Sequence, residues 1–377
     1  MFTQPKVVIL LMNSKGNIVL FNRTDAGITP GGDTVQIYAI AKYLKSINYN
    51  VVVTNDLKYD LSDVDTVFIF NLQRPYEAYL QAKAAIQKNI PYIFFPIYWD
   101  IDKLNMDEIK SFKSIIKFVL PTKMNSYLRG YRFYKNNKKL VDFLDIINFH
   151  KLALFILEHA KFICPNSNAE KIHLIQKFQI EHLESKIFVI LNGIDVQALI
   201  SQKIESINVE LPEKFICCIG GIGPRKNQLN LVRAANKTKI NLLILGRTST
   251  GAEEYAKKVK EISNKNIHFI DYVDQQTAFY ILNRSIGHIQ PSYIETPGLA
   301  SLEAAALGCP IVVSDVPPVK EYFGDFALYC NPSSVNSITD SLLQLSQKTR
   351  NNSMSHNFQK NYEWNHILES LKNLLEK

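Results

Sequence analysis

Short apolar runs alternate with segments of helical periodicity, and this alternation starts twice along the 377 residues. Residues 6–12 (KVVILLM) form a continuous apolar run, as expected of a strand buried on both faces. A polar stretch and the turn Pro30-Gly31-Gly32-Asp33 follow, and residues 34–44 then carry apolar positions at helical spacing. Further strands are expected at 50–54, 66–70 and 92–95, with a helix over 79–88. The second series has strands at 215–219, 241–245, 267–270, 287–290 and 310–313, with helices over 229–235 and 253–263. Such alternation implies a parallel sheet covered by helices on both faces. The expected fold is therefore α/β, with two doubly wound, Rossmann-like domains and a ligand crevice between the carboxyl ends of their strands. The expected spans are 1–200 and 201–362. Residues 363–377, with Ile367, Leu368, Leu371, Leu374 and Leu375 at helical spacing, form a final amphipathic helix.

Composition narrows the class. With 46% apolar and 21% charged residues the chain is globular, neither disordered nor collagen-like. No apolar run approaches the ~20 residues of a membrane span. The opening residues lack the charged start and apolar core of a secretory leader. Cys164, Cys217, Cys218, Cys309 and Cys330 have no C-x-x-C spacing and fit reduced thiols in the cytoplasm. The net charge of +8 is uneven, since residues 1–200 hold 24 basic and 18 acidic side chains. Residues 110–141 hold nine basic and no acidic ones. Lysine, arginine and aromatics over 110–139 suit peripheral membrane contact at the inner face or an anionic lipid-linked acceptor. The same pattern suits a core-packing helix with a solvated basic face and a loop that steers an anionic nucleotide. No recognition motif accompanies the charge, so no nucleic-acid partner is expected.

The most informative segment is residues 291–310 (PSYIETPGLASLEAAALGCP). Glu295 sits in a loop with Thr296, Pro297 and Gly298, and Glu303 lies about two turns into the helix that follows. A glycine at a helix start lets backbone N–H groups approach a phosphate, and the helix dipole favours the anion. A loop carboxylate above such a site is placed for sugar hydroxyls, and one farther along the helix for a ribose. By itself the pair also fits a loop acid and a surface helix acid.

This segment resembles the signature of retaining GT-B glycosyltransferases of glycosyltransferase family 4, the group 1 type. Pro291, Ser292, Glu295, Thr296, Gly298, Leu299, Leu302, Glu303, Ala304, Ala306, Gly308 and Pro310 match it. Residues 190–195 (ILNGID) resemble the loop that precedes the second domain in that family. Residues 219–227 (IGGIGPRKN) are similar to its phosphate-gripping turn, with Lys226 at the lysine position. Gly221 stands where the family has arginine, and Arg225 is the neighbouring cation. As a bare pattern the turn also suggests a dinucleotide fingerprint, but its third glycine is absent, and no G-K-[ST] follows for a Walker A loop. Gly31 and Gly32 match the first-domain glycine loop. Trp364 resembles the late tryptophan after which the last helix returns to the first domain.

The resemblance implies a retaining hexosyltransferase that uses a UDP- or GDP-sugar. Glu295 and Lys226 would be catalytic. Gly31, Gly32, Arg225, Lys226, Thr296, Pro297, Gly298, Leu299 and Glu303 would bind the donor. The family's first-domain histidine is missing, so Tyr98 or Asp100 would contact the sugar, or no such group is needed. Arg74 and Asp33 lie on the acceptor side, and Arg74 equally fits an ordinary surface residue. The acceptor would be a glycan, a lipid-linked saccharide or a protein, in bacterial surface-glycan synthesis. Attack on the face of the leaving diphosphate, which takes the acceptor's proton, is also implied. No cofactor and no metal are expected. Of two D-x-D triplets of the kind that bind a metal in the other major glycosyltransferase fold, Asp63-Val-Asp65 precedes a strand, at the wrong sheet edge. Asp100-Ile-Asp102 follows one, at the right edge, but the resemblance implies metal-independent transfer. Gly221 and the missing histidine leave two alternatives: a non-catalytic GT-B subunit supporting a partner transferase, and a same-fold epimerase or phosphorylase.

Overall fold

The computed structural model describes residues 14–27, 31–100, 133, 135, 148–201 and 210–377. In chain order the first domain contains β1 (Asn17–Phe21), α1 (Gly32–Ser46), β2 (Asn50–Thr54), β3 (Thr66–Phe70), α2 (Pro75–Gln87), β4 (Tyr92–Phe95), α3 (Phe149–His159), β5 (Phe162–Ile163) and α4 (Asn168–Phe178). The second begins with α5 (Val196–Ile200), β6 (Phe215–Ile219), α6 (Gln228–Ala235), β7 (Asn241–Leu245), α7 (Glu253–Glu261), β8 (Ile267–Ile270) and α8 (Gln275–Arg284). It continues with β9 (Gly287–Gln290), α9 (Leu299–Ala306), β10 (Ile311–Ser314), α10 (Val319–Phe323), β11 (Ala327–Cys330), α11 (Val335–Ser346) and α12 (Asn352–Asn361). The chain ends in α13 (Trp364–Leu375).

Among the described residues every strand pairing is parallel. The strand orders are β2-β1-β3-β4-β5 and β11-β10-β9-β6-β7-β8. The inner strands β3, β4, β6 and β7 are buried on both faces, which is why they read as continuous apolar runs, whereas the edge strands β2, β8 and β11 are mostly half-buried. In the first domain one face packs Val67, Ile69 and Phe94 against α2 and α3. The other packs Leu20, Phe68 and Phe95 with α1 and α13. The direction of the chain reverses across the sheet between β1 and β3, and between β6 and β9. Ligands bind outside the carboxyl ends of strands at such switch points.

The first strand departs from the sequence expectation. The run at 6–12 lies outside the described residues, and β1 is Asn17–Phe21, within the stretch read as polar. Of its four buried residues, Ile18, Val19 and Leu20 pair with both β2 and β3, and Phe21 with β2.

The chain crosses between domains twice, and the crossings run side by side. The Ile194 N–H donates to the Tyr362 carbonyl at 2.7 Å, and the Trp364 N–H to the Ile194 carbonyl at 3.1 Å. Gly193 is required here, because a Cβ on it would sit 2.8 Å from the Tyr362 carbonyl oxygen. Ile194 and Leu199 belong to the second-domain core, so the crossover comes at Asn192–Gly193, ahead of residue 200. After the return crossing, Trp364, Leu368, Leu371 and Leu374 pack with Ile37, Ile40 and Leu44 of α1. Among the described residues no helix is long and apolar enough to cross a membrane.

Candidate active site

Both switch points open into one cleft. In the second domain Lys226 follows β6 and Glu295 follows β9, and these strands are neighbours in the sheet. Lys226 Nζ lies 2.7 Å from Glu295 Oε2, which also accepts from Ser292 Oγ at 2.8 Å. Arg225 comes within 3.6 Å of Glu295 Oε1 and donates to the Ile294 carbonyl at 2.9 Å. Burial alone would raise the Glu295 carboxyl; the charges of Lys226 and Arg225, with the Ser292 hydroxyl, hold it at about 2. Burial pulls the Lys226 ammonium down, and Glu295 counters it. One guanidinium and one ammonium charge against one carboxylate leave the group net positive. An ammonium has three donors, so Lys226 retains capacity for a phosphate oxygen.

A Cβ on Gly221 would meet Ser249 Oγ at 2.9 Å, so a larger residue there requires that hydroxyl to turn aside. Arg225 brings its charge from the same turn.

Gly298 caps α9 with φ +96°, and a Cβ on it would lie 2.9 Å from Glu295 Cγ. No side chain caps that helix. Across the cleft Gly31 caps α1, again without a side-chain cap. A Cβ on Gly32 would sit 3.6 Å from Leu299 Cδ1, so the amino ends of α1 and α9 approach each other directly. In α1 the Thr34 N–H donates to Asp33 Oδ1 at 2.9 Å, and in α9 the Ser301 N–H donates to the Gly298 carbonyl at 3.0 Å; each helix end also presents a positive dipole, which favours phosphates. Thr296 is tied to the crossover, its carbonyl accepting from Asn192 Nδ2 at 3.1 Å, and Pro297 is buried beside Gly298. Glu303 is half-buried on α9, 3.4 Å from Gln275 Nε2, and burial pushes its carboxyl up to about 7.

On the first-domain wall Asp33 is ion-paired with Arg23 at 2.6 Å and accepts from Asn71 Nδ2 at 3.0 Å. Arg23 also reaches Asp25 at 2.8 Å. Arg74 pairs with Asp25 at 2.6 Å and Glu77 at 3.2 Å. Arg74 is thus neither a lone surface residue nor an isolated acceptor cation; it is part of an ion network at the ends of β1 and β3. Sequence reasoning missed Arg23, Asp25 and Glu77, for which only their position after a strand or at a helix start was a signal.

Two candidates sit elsewhere than expected. The Tyr98 ring is buried in the first-domain core, stacked with Phe149 at 6.0 Å and His173 at 5.7 Å, because apolar partners surround it on α3 and α4. Asp100 pairs with Lys177 at 2.6 Å, its side chain 9% exposed. Asp102 and most of 110–139 lie outside the described residues. Phe133 stacks on Tyr76 at 5.4 Å, and Lys135 is exposed. Among the described residues no group of three or more His, Cys, Asp or Glu side chains is placed to hold a metal.

Two facing Rossmann-like domains, a cleft lined by loops at the carboxyl ends of both sheets, and a last helix returning to the first domain define the GT-B fold. Comparisons with known proteins agree. Residues 200–363 match the family described as Glycosyl transferases group 1. The O-antigen chain mannosyltransferase RfbU of Salmonella typhimurium is 22% identical over 236 residues, 62% of this chain and 64% of that protein. A Campylobacter jejuni N-acetylgalactosaminyltransferase, whose name specifies a diphospho-undecaprenol-linked acceptor, is 27% identical over 56% of each chain. The match therefore spans less than two thirds of these curated relatives. Sucrose-phosphate synthase of Thermosynechococcus elongatus superposes with a TM-score of 0.70 at 14% identity, covering 96% of this chain and 98% of that one. HepE of Anabaena, solved with UDP and glucose, superposes with a TM-score of 0.67 at 13% identity, covering 96% and 99%.

Proposed function

We propose that the chain is a retaining glycosyltransferase that moves a hexose from a nucleoside-diphosphate sugar, UDP- or GDP-linked, to an acceptor hydroxyl. The observation that carries this reading is the pair of glycine-capped helix amino ends meeting across the cleft beside Lys226. That arrangement suits a diphosphate gripped from both walls. The matched family, the UDP-bound GT-B neighbour and the glycan-synthesising relatives support it.

In the proposed reaction the acceptor oxygen bonds to the anomeric carbon as the bond to the diphosphate breaks. The electron pair leaves with the diphosphate, and its oxygen takes the acceptor's proton from the same face of the sugar. The chain's part is electrostatic. Lys226, Arg225 and the N–H groups of both helix ends stabilise the departing charge without a metal or cofactor. Glu295 orients the sugar and Glu303 the ribose. Acceptors are glycans, lipid-linked saccharides or proteins of bacterial surface-glycan synthesis at the cytoplasmic face of the membrane.

A thermal-shift panel of UDP, GDP and ADP with their sugars tests the donor assignment. One base and its sugar should stabilise the protein, and stabilisation should vanish in Lys226→Ala. No shift with any of them contradicts the reading.

A further inference from the structure

Four elements meet at one tyrosine outside the donor loops. Tyr322, on α10, is 3% exposed. Its hydroxyl donates to the Asn166 carbonyl of the first domain and accepts the Asn192 N–H of the crossover at 2.8 Å. Asn192 Nδ2 in turn donates to the carbonyl of Thr296, the residue after Glu295. Tyr322 also stacks on Tyr362 of the return crossing, with centroids 5.5 Å apart.

The first-domain end of this chain of bonds is itself fixed. Glu170, wholly buried, accepts the Asn166 N–H at 2.7 Å and the Tyr98 N–H at 2.6 Å. Ser167 caps α4 by accepting the Glu170 N–H at 2.9 Å. Next to Tyr322, the Glu321 carboxylate accepts the Asn168 and Ala169 N–H groups at 2.8 and 3.1 Å. So the loops after β4 and β5 are held rigidly, and the Tyr322 hydroxyl passes their position on to the Glu295 loop.

We propose that Tyr322 and Asn192 are positioning residues that set the register of the Glu295 loop against the first domain. The proposal rests on the transferase reading for its kinetic consequence. The donor-gripping side chains Lys226, Arg225, Glu295 and Glu303 all belong to the second domain. The first-domain wall adds only the backbone end of α1 to the nucleotide's contacts, so a change of register weakens nucleotide binding less than it slows transfer, which needs both walls in place. Rate, more than nucleotide affinity, is therefore the quantity the clasp controls.

Three variants test this: Tyr322→Phe, which keeps the ring; Asn192→Ala; and their combination. Lys42→Ala serves as a control, since Lys42 makes an exposed ion pair with Asp195 at 2.9 Å. Tyr322→Phe should lower kcat about tenfold, the scale of one hydrogen bond realised in the transition state. Nucleotide Kd should stay within about twofold, and the double variant should lose no more than the worse single one. Lys42→Ala should change neither. Raised Kd with unchanged kcat, multiplying losses in the double variant, or an equal loss in Lys42→Ala would overturn the proposal. Hydrogen exchange of residues 292–298, read without any substrate, should quicken in Tyr322→Phe; unchanged exchange overturns the clasp whether or not turnover is found. A wild-type protein that turns over no sugar nucleotide, with exchange still quickened in Tyr322→Phe, instead counts against the transferase reading alone.

Discussion

Lys226 Nζ and Glu295 Oε2 lie 2.7 Å apart, although 69 positions separate the residues in sequence. Their side chains are 15% and 9% exposed, so neither charge can be left without the other at low cost. Lys226→Ala should destabilise the protein by roughly 3 kcal/mol, because it strands a buried carboxylate. Lys226→Met combined with Glu295→Gln should recover most of that loss while nucleotide binding stays weak. Urea denaturation of the singles and the double, with calorimetric titration of the nucleotide, checks both parts.

Acid stability should report on the same pair. The Glu295 carboxyl falls from 4.5 to about 2 on folding. Its contribution is therefore complete above pH 4.5 and is lost as pH falls toward 2. Glu295→Gln should flatten that acid limb when unfolding free energy is measured against pH.

Glu303 should behave in the opposite sense. Burial raises its carboxyl from 4.5 to about 7, so the folded state holds the proton more tightly. The associated stability is complete below pH 4.5 and is lost as pH rises through 7. Glu303→Gln should remove this decline. In the wild type, nucleoside binding should tighten as pH rises through 7, because the carboxylate is the better acceptor for ribose hydroxyls.

Gly298→Ala places a Cβ 2.9 Å from Glu295 Cγ at φ +96°. The cost should be about 1–3 kcal/mol, the range for strained left-handed backbone. Nucleotide affinity should fall with it, since the displaced carboxylate no longer holds Lys226. Melting temperature and titration together read the two effects.

Gly32→Leu should act differently. Its Cβ meets Leu299 at ordinary contact distance, so the fold tolerates the first carbon, but the longer side chain fills the space between the two helix ends. Transfer should drop at least tenfold, on the scale of lost positioning, with little change in thermal stability.

Much of the fold was legible because each strand buried on both faces writes an unbroken apolar run. The runs at 66–70, 215–219 and 241–245 are such strands, and the run at 50–54 is a half-buried edge strand. Residues 17–21 failed to stand out because five residues, short beside the stronger run at 6–12, fit a strand or a turn-flanked loop equally well. The Glu295 loop was legible as a motif. Its ion pair with Lys226 was not, since it depends on β6 and β9 being neighbours, which only the folded order shows. Tyr98 misled for a related reason: a tyrosine after a strand reads as a cleft residue, but Phe149, His173 and Phe178 form an aromatic pocket for it behind the sheet edge. Arg74 was ambiguous because its partner Asp25 lies 49 residues away.

The central claim is sugar transfer with retention at the cleft. Its most direct test is proton NMR of the product formed from the donor that the nucleotide panel selects, with the wild type and Glu295→Ala run in parallel. The account predicts a new glycosidic bond whose anomeric configuration matches that of the donor, and its loss in Glu295→Ala. A product of inverted configuration, or full activity in Glu295→Ala, would contradict it.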